Sequence, residues 1–259
     1  MQPLFFDSHC HTEFSADSSL RADEALAQAK KLGLGLVFTE HMDIGFPGEL
    51  DFTFDPAAYW QAYEPLRGDE LSLGIEIGLT AEAGAANLRV TKAVPFDMVL
   101  GSLHLLRGED IYYLSLYKTL DKGELYREYL QALAKMTREN PYIDALAHYD
   151  YICRYAPYAD PAMSYDEFAT EIEAVLTAAL ETDTVLELNT RRLETAAVYQ
   201  EMLAVYRRYR KLGGRYITVG SDGHSASAVG KNFAAAKELA VAVGLTPVTF
   251  RERRPVILR

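Results

Sequence analysis

Short, nearly continuous apolar runs alternate along the chain with longer segments whose apolar residues recur every three or four positions. The runs at 3–8, 34–40, 71–77, 97–103, 143–148, 184–189 and 215–220 predict strands. I-D-A-L-A, T-V-L-E-L and Y-I-T-V have the uninterrupted character of strands buried on both faces. The segments at 21–32, 56–66, 81–93, 122–139, 164–181, 195–212 and 231–243 predict helices. Gly33 suits the C-terminal cap of the first helix, and Asp121 and Ser164 suit N-caps of two later ones. No linker, low-complexity segment or internal repeat interrupts the alternation, so residues 1–259 are expected to form a single domain. Seven strand–helix repeats leave two architectures, a parallel barrel or a doubly wound sheet.

The polar residues separate these two. All six histidines (His9, His11, His41, His104, His148 and His224) fall just past apolar runs. Strands 1, 2, 4, 5 and 7 each carry one at or beyond the C-terminal end. In a barrel all those ends meet at one mouth. In an open sheet distant strands would not share a site so readily. A barrel with its active site at the C-terminal ends of the strands is therefore expected.

Composition narrows the function classes. The chain has 259 residues, 49% of them apolar, and a formal net charge of -11. An acidic surface argues against nucleic acid or an anionic membrane as partner. It permits an anionic small substrate, because a few local cations outweigh the global field. Two cysteines, Cys10 and Cys153, are too few for a disulfide framework and point to a reducing cytoplasm. The N-terminal residues lack the pattern of a signal peptide, and no apolar stretch approaches the roughly 20 residues of a membrane span.

The candidate chemistry lies at the strand ends. The first run ends D-S-H-C-H-T, and residues two apart on a strand share a side. His9 and His11 are expected to project together with Asp7, leaving Cys10 opposite as a packed residue. G-S-D-G-H presents Asp222 and His224 in the same way; by itself this is also the sequence of a turn. Glu76 interrupts the apolar run L-S-L-G-I-E-I-G. A carboxylate there is costly to bury unless it is paired or bound to a cation, and bridging two metals would account for it. His104 and His148 follow equivalent runs. His41 follows Glu40, a candidate acceptor behind a metal ligand. Asp17, in the loop after the first strand, reads alone as a turn residue. These nitrogen and oxygen ligands suit Zn, Mn or Fe. Clustered divalent ions acidify a bound water and stabilise charge on a phosphoryl group.

The ordered set H-x-H, Asp17, His41, Glu76, His104, His148, D-x-H resembles the polymerase and histidinol phosphatase (PHP) family over essentially the whole chain. The resemblance implies a distorted (β/α)7 TIM-like barrel with three divalent metal ions. One would be held by His9, His11, Glu76 and Asp222. A second would share Glu76 and add His104 and His148, and a third would take Asp17, His41 and His224. Some family members carry His at the position of Asp17. The segments T-E-H-M-D, G-S-L-H-L-L-R-G-E-D-I-Y-Y, A-H-Y-D-Y-I-C-R-Y, L-E-L-N-T, G-S-D-G-H and V-G-K-N-F are most similar to the histidinol-phosphate phosphatases of the family. That implies hydrolysis of L-histidinol phosphate, a small phosphorylated substrate, to L-histidinol and phosphate. Attack would be in line, by a hydroxide bridging two metals under Glu76, with Asp222 shuttling the proton.

A phosphate monoester needs cationic partners, and guanidinium offers bidentate bonds. Arg154, after the fifth strand, and Arg191, after the sixth, are the candidates, with Arg192 as the alternative to Arg191. Tyr112, Tyr113 and Tyr117 fit packing better than a wall for a substrate ring. The acidic loop at 43–51 is a candidate partner for a substrate ammonium. The basic runs at 206–211 and R-E-R-R read as solvated surface. Three alternatives stay open: a PHP phosphoesterase for another phosphomonoester, nucleotide or phosphodiester; a non-catalytic accessory domain; and a C–N hydrolase on a similar barrel, which the two arginines disfavour.

Overall fold

The computed structural model describes residues 5–118 and 120–258. The elements run β1 (Phe6–Cys10), α1 (Ala22–Leu32), β2 (Gly35–Met42), α2 (Pro56–Tyr63), β3 (Leu71–Gly78), α3 (Gly84–Val90), β4 (Met98–Ser102), β5 (Leu105–Leu106) and β6 (Glu109–Asp110). They continue with α4 (Lys122–Glu139), β7 (Ala145–Leu146), α5 (Ala169–Glu181), β8 (Val185–Asn189), α6 (Ala196–Leu212), β9 (Tyr216–Gly220), α7 (Phe233–Val243), β10 (Thr246–Arg251) and β11 (Arg254–Ile257). Strands β1-β2-β3-β4-β7-β8-β9 pair in parallel in that order, so each crossover returns to the neighbouring position.

The ladder does not close into a continuous ring. Its two ends nevertheless lie side by side. One bridge joins Cys10 to Gly223. The His11 amide donates to the Gly223 carbonyl at 2.9 Å, and the Asp222 amide to the His9 carbonyl at 2.9 Å. This is the distorted barrel expected, and its seam joins the two segments that carry H-x-H and D-x-H.

Strand alternation divides the apolar residues into two cores. Phe6, Val37, Met98, Leu100, Ala145, Ala147 and Val185 fill the barrel interior. Leu36, Phe38, Leu73, Ile75, Ile77, Leu186, Leu188, Ile217 and Val219 point outward under the helices. The β10–β11 hairpin plugs the N-terminal end of the barrel by inserting Val248 and Phe250. Its corner residues Glu252 and Arg253 have φ of 50° and 64°, as a tight hairpin of matching twist requires. The Asp97 carboxylate holds that corner. It accepts from the Glu252 amide (2.9 Å), the Leu73 amide (2.9 Å) and Arg67 Nε and Nη2 (2.8 and 2.7 Å).

Several boundaries shift. Residues 3 and 4 of the strand expected at 3–8 lie outside the described residues. The strand expected at 143–148 pairs only over Ala145–Leu146. The helix expected at 81–93 contracts to Gly84–Val90. The helix expected from 164 begins at Ala169: the Ser164 hydroxyl accepts from the Glu167 amide and closes a separate turn ahead of α5, so Ser164 is not its N-cap. Asp121 does cap α4, accepting from the Glu124 amide at 2.9 Å, and Gly33 caps α1 at φ 66°. The β5–β6 and β10–β11 hairpins were not anticipated.

Candidate metal centre

One irregularity in β1 sets the geometry of the site. Between Asp7 and Cys10 the register against β2 gains one residue, a β-bulge. The bulge breaks simple alternation, so Asp7 is not on the side of His9 and His11 as expected. Asp7 instead accepts from the Ser221 amide (2.8 Å), the Ser221 hydroxyl (2.6 Å) and the Gly230 amide (2.9 Å), and so ties β1 to the segments before and after His224. Burial pushes its carboxyl up to about 6, partly offset by these bonds. Cys10 packs in the outer core, as expected.

Glu76 stands at the centre of the mouth, fully buried on β3. Its carboxylate oxygens lie 3.4 Å from His9 Nε2, 3.4 Å from His11 Nε2, 2.9 Å from His41 Nδ1, 3.4 Å from His104 Nε2 and 3.2 Å from His148 Nε2. The Ser102 hydroxyl donates to it. Burial raises its carboxyl, but the charges of His9, His41 and His104 outweigh this and hold it well below the usual range. Asp222 Oδ1 lies 3.3 Å from His11 Nε2 and 3.6 Å from His9 Nε2. Asp17, 37% exposed, lies 3.1 Å from His224 Nε2 and 3.7 Å from His41 Nε2.

The structure therefore brings together all nine candidate ligands. His9, His11 and Glu76 form one group, and Glu76, His104 and His148 another. His41 and His224 also group with His11, whose ring stacks between theirs at 4.1 and 4.2 Å.

These residues fit divalent cations. Donor atoms 3.2–3.6 Å apart match the edges of a coordination shell with bonds of about 2.0–2.2 Å. Glu76 Oε2 and His41 Nδ1 are buried without a hydrogen-bond partner, although they face each other. Unsatisfied buried polar atoms are costly, and cations in the cluster would satisfy both.

A second layer orients the ring nitrogens, and the sequence reading largely missed it. Asp43 Oδ1 takes His104 Nδ1 at 2.7 Å, while its Oδ2 is buried without a hydrogen-bond partner, 3.5 Å from His41 Nδ1. Glu187 takes His9 Nδ1 at 2.8 Å. Glu40 does not back His41. It accepts from the Thr12 amide and hydroxyl and from the Ser15 hydroxyl (2.6 Å), while Ser15 Oγ contacts His11 Nδ1 at 3.1 Å. Asp43 and Glu187 each lie at or just beyond a strand end, as Glu76 does, but nothing in their own strands pairs them with a histidine.

A cavity of about 160 Å³ opens above the cluster, lined by Tyr151, Arg154, Tyr155 and Arg191 together with the imidazoles. The Arg154 side chain is 6% exposed. It donates to Asp222 Oδ2 and to Asn189 Oδ1 (2.9 Å) and lies 5.0 Å over the Tyr151 ring. Arg191, 46% exposed, donates to the Asp222 carbonyl at 3.3 Å. Arg192 turns away and pairs with Asp150 and Glu201. Of the tyrosines considered from sequence, Tyr117 is buried and bonded to the Ile111 and Ile152 carbonyls, while Tyr112 and Tyr113 are exposed at the rim. Tyr151 and Tyr155, which reach the cavity, were not singled out. Among the described residues no helix is long and apolar enough to cross a membrane.

Comparison with known proteins places this geometry in a family. The PHP domain model matches residues 7–191. A protein of Clostridium acetobutylicum named probable histidinol-phosphatase is 40% identical over 250 residues, 96% of this chain and 98% of that one. The histidinol-phosphatase of Lactococcus lactis subsp. lactis is 31% identical over 85% of this chain and 84% of its own. The crystal structure of a Lactococcus lactis histidinol phosphate phosphatase complexed with zinc, L-histidinol and phosphate superposes with a TM-score of 0.91. The two are 28% identical, and the match covers 97% of this chain and 98% of that one.

Proposed function

The chain belongs to the PHP-domain family, and from that premise we propose that it is a cytoplasmic, metal-dependent phosphomonoesterase that hydrolyses L-histidinol phosphate to L-histidinol and phosphate. It works as one PHP-type domain. The observation that carries this reading is the pairing, at one mouth, of a buried His–carboxylate cluster with two guanidiniums. A C–N hydrolase has no use for the arginines, and a purely structural domain has no use for a cavity above the cluster. The phosphate and L-histidinol bound by the Lactococcus protein support the substrate.

Three divalent ions would fill the cluster: His9, His11, Glu76 and Asp222 would hold one, Glu76, His104 and His148 another, and Asp17, His41 and His224 the third. The zinc of the Lactococcus structure supports zinc as the metal. Bound there, the ions supply an acidified water and positive charge for the phosphoryl oxygens. Arg154 and Arg191 bind the remaining phosphoryl oxygens and fix the ester for in-line attack. Arg154 leads, because its contacts to Asp222, Asn189 and Tyr151 hold it in place before substrate arrives. Asp222 takes the proton released by the attacking water and returns it to the leaving oxygen. Glu76, at the centre of the cluster, orients the attacking water.

The test is phosphate release from L-histidinol phosphate by zinc-loaded protein, alongside a panel of phosphomonoesters, nucleotides and phosphodiesters. Selective turnover of the first is expected, and Glu76→Ala should abolish it. Turnover of other monoesters with none of L-histidinol phosphate would reject the substrate and keep the reaction class. No hydrolysis of any ester by metal-loaded protein would reject both.

A further inference from the structure

Strand β8 differs from the rest of the barrel. Every other strand of the parallel ladder from β1 to β9 sends a member of the proposed ligand set to the mouth, at its end or just beyond. β8 sends none. Its inward residues nearest the mouth are Glu187 and Asn189, both buried, and their bonds run in one direction across the site. Glu187 Oε1 meets His9 Nδ1 at 2.8 Å. Glu187 Oε2 accepts from the His148 amide at 2.9 Å and from Asn189 Nδ2 at 3.1 Å. Asn189 Oδ1 then accepts from Arg154 Nη2 at 2.9 Å and from the Arg191 amide at 3.0 Å.

The chemistry of each group fixes its part in this chain. A carboxylate at Nδ1 holds the proton of His9 on that nitrogen and leaves the Nε2 lone pair facing Glu76 and Asp222. The Asn189 amide has only one workable orientation. Turned over, its NH2 would face a guanidinium and a backbone amide, both donors, and its oxygen would face a carboxylate. Two further observations show that the surroundings are shaped to this chain. A Cβ at Gly220 of β9 would lie 2.3 Å from Glu187 Oε1 and 2.4 Å from His9 Cβ, so only glycine leaves room for both. From α6, the Tyr206 hydroxyl donates to the Glu187 carbonyl and pins the strand at that residue.

We propose that Glu187 and Asn189 are positioning residues that hold the metal ligand His9 and the phosphate-binding arginines Arg154 and Arg191 at a fixed separation. β8 thus sets the distance between metals and phosphate clamp. This rests on the reading of the mouth as a metal centre with a phosphate clamp. It does not depend on which ester is hydrolysed. A phosphoryl group must touch both parts at once, and a displacement of about 1 Å between them is costly in rate.

Two binding measurements separate the ends of the chain. Zinc affinity is read by competition with a chromophoric chelator, and inorganic phosphate affinity by inhibition of the zinc-loaded enzyme. Glu187→Gln keeps the size of the side chain and removes the charge behind His9; zinc affinity should fall about 10–100-fold. Asn189→Ala removes the acceptor behind Arg154 and Arg191; phosphate should bind about tenfold more weakly, with zinc affinity unchanged. Gly220→Ala leaves both residues in place and presses on Glu187 and His9, so it should weaken zinc and serves where Glu187→Gln folds poorly. A merely structural role would lower the melting temperature of all three without this split. Equal zinc loss in Glu187→Gln and Asn189→Ala, or no change in either constant, would overturn the proposal. Wild-type protein that binds neither zinc nor phosphate would overturn the metal-centre reading and this proposal with it. Wild-type protein that binds both but does not turn over L-histidinol phosphate would reject the substrate alone.

Discussion

The two arginines at the mouth should contribute very unequally, and the difference follows from how each is held. Arg154 is 6% exposed and has three partners in place, Asp222 Oδ2, Asn189 Oδ1 and the Tyr151 ring. Its charge-assisted bonds to phosphate form in a dry, preorganised setting and are worth about 3 kcal/mol. Arg191 is 46% exposed and held by a 3.3 Å bond to the Asp222 carbonyl and a 3.6 Å ion pair with its carboxylate. Solvent screens it and its side chain must be ordered on binding, which leaves about 1 kcal/mol. Arg154→Met should therefore lower kcat/KM about 100- to 200-fold and Arg191→Met only about fivefold. Arg154→Met also strips Asp222 Oδ2 and Asn189 Oδ1 of a donor, at a cost in stability of about 1–3 kcal/mol. The assay is steady-state phosphate release from L-histidinol phosphate, run well below the melting temperature of each zinc-loaded variant. An Arg191→Met loss equal to or larger than that of Arg154→Met would refute the argument that burial and prior pairing decide the contribution.

Further outcomes follow from other parts of the molecule. Asp17 is the most exposed of the nine candidate ligands, so Asp17→Asn should reduce bound zinc from three ions to two per chain by elemental analysis; retention of three would remove Asp17 from the ligand set. Tyr155 lines the cavity and packs at 5.3 Å on Tyr151 and 5.1 Å on Tyr112. Tyr155→Ala should raise KM about tenfold for L-histidinol phosphate and less for glycerol phosphate; an equal rise for both would show that the ring does not meet the leaving group. Burial raises the Asp97 carboxyl, but Arg67 and the amides of Leu73 and Glu252 outweigh it and hold the pKa below the usual range. A depressed folded pKa gives stability that is present above the unfolded value near 4 and lost as pH falls through the folded one. Melting temperature followed from about pH 5 down to pH 2 should thus fall less steeply in Asp97→Asn than in wild type; parallel curves would show that Asp97 carries none of the acid sensitivity.

The barrel was legible because its evidence is periodic. Continuous apolar strands and helices with an apolar stripe repeat seven times, with caps such as Asp121 and Gly33 at some of their ends, and any one can be misplaced without losing the pattern. Segments that depend on a distant partner were not legible. T-P-V-T-F-R becomes β10 because Val248 and Phe250 fill the open end of the barrel and Asp97 holds the following turn. Ser164 reads as a helix cap from local sequence, yet its hydroxyl closes a separate turn that ends before α5.

The same division runs through the site. Histidines betray themselves at strand ends, since imidazoles gathered at one mouth are rare without a cation to share. The carboxylates behind them do not. Glu187 sits in L-E-L-N, where a strand-end carboxylate reaching water is an equally good reading of the sequence. It acquires meaning only when β8 lies beside β9, Gly220 clears the space and His9 arrives from the far end of the chain. His9 reaches it across a bulge that strict alternation does not foresee, and that bulge turns Asp7 away as it brings His9 in. A metal ligand can therefore be read from its own strand, whereas the residue that orients it must be read from the seam where first and last strands meet. Substitutions at Glu187, Asn189 and Gly220 consequently test the tertiary arrangement more directly than substitutions at the histidines, whose loss any metal-binding arrangement would register.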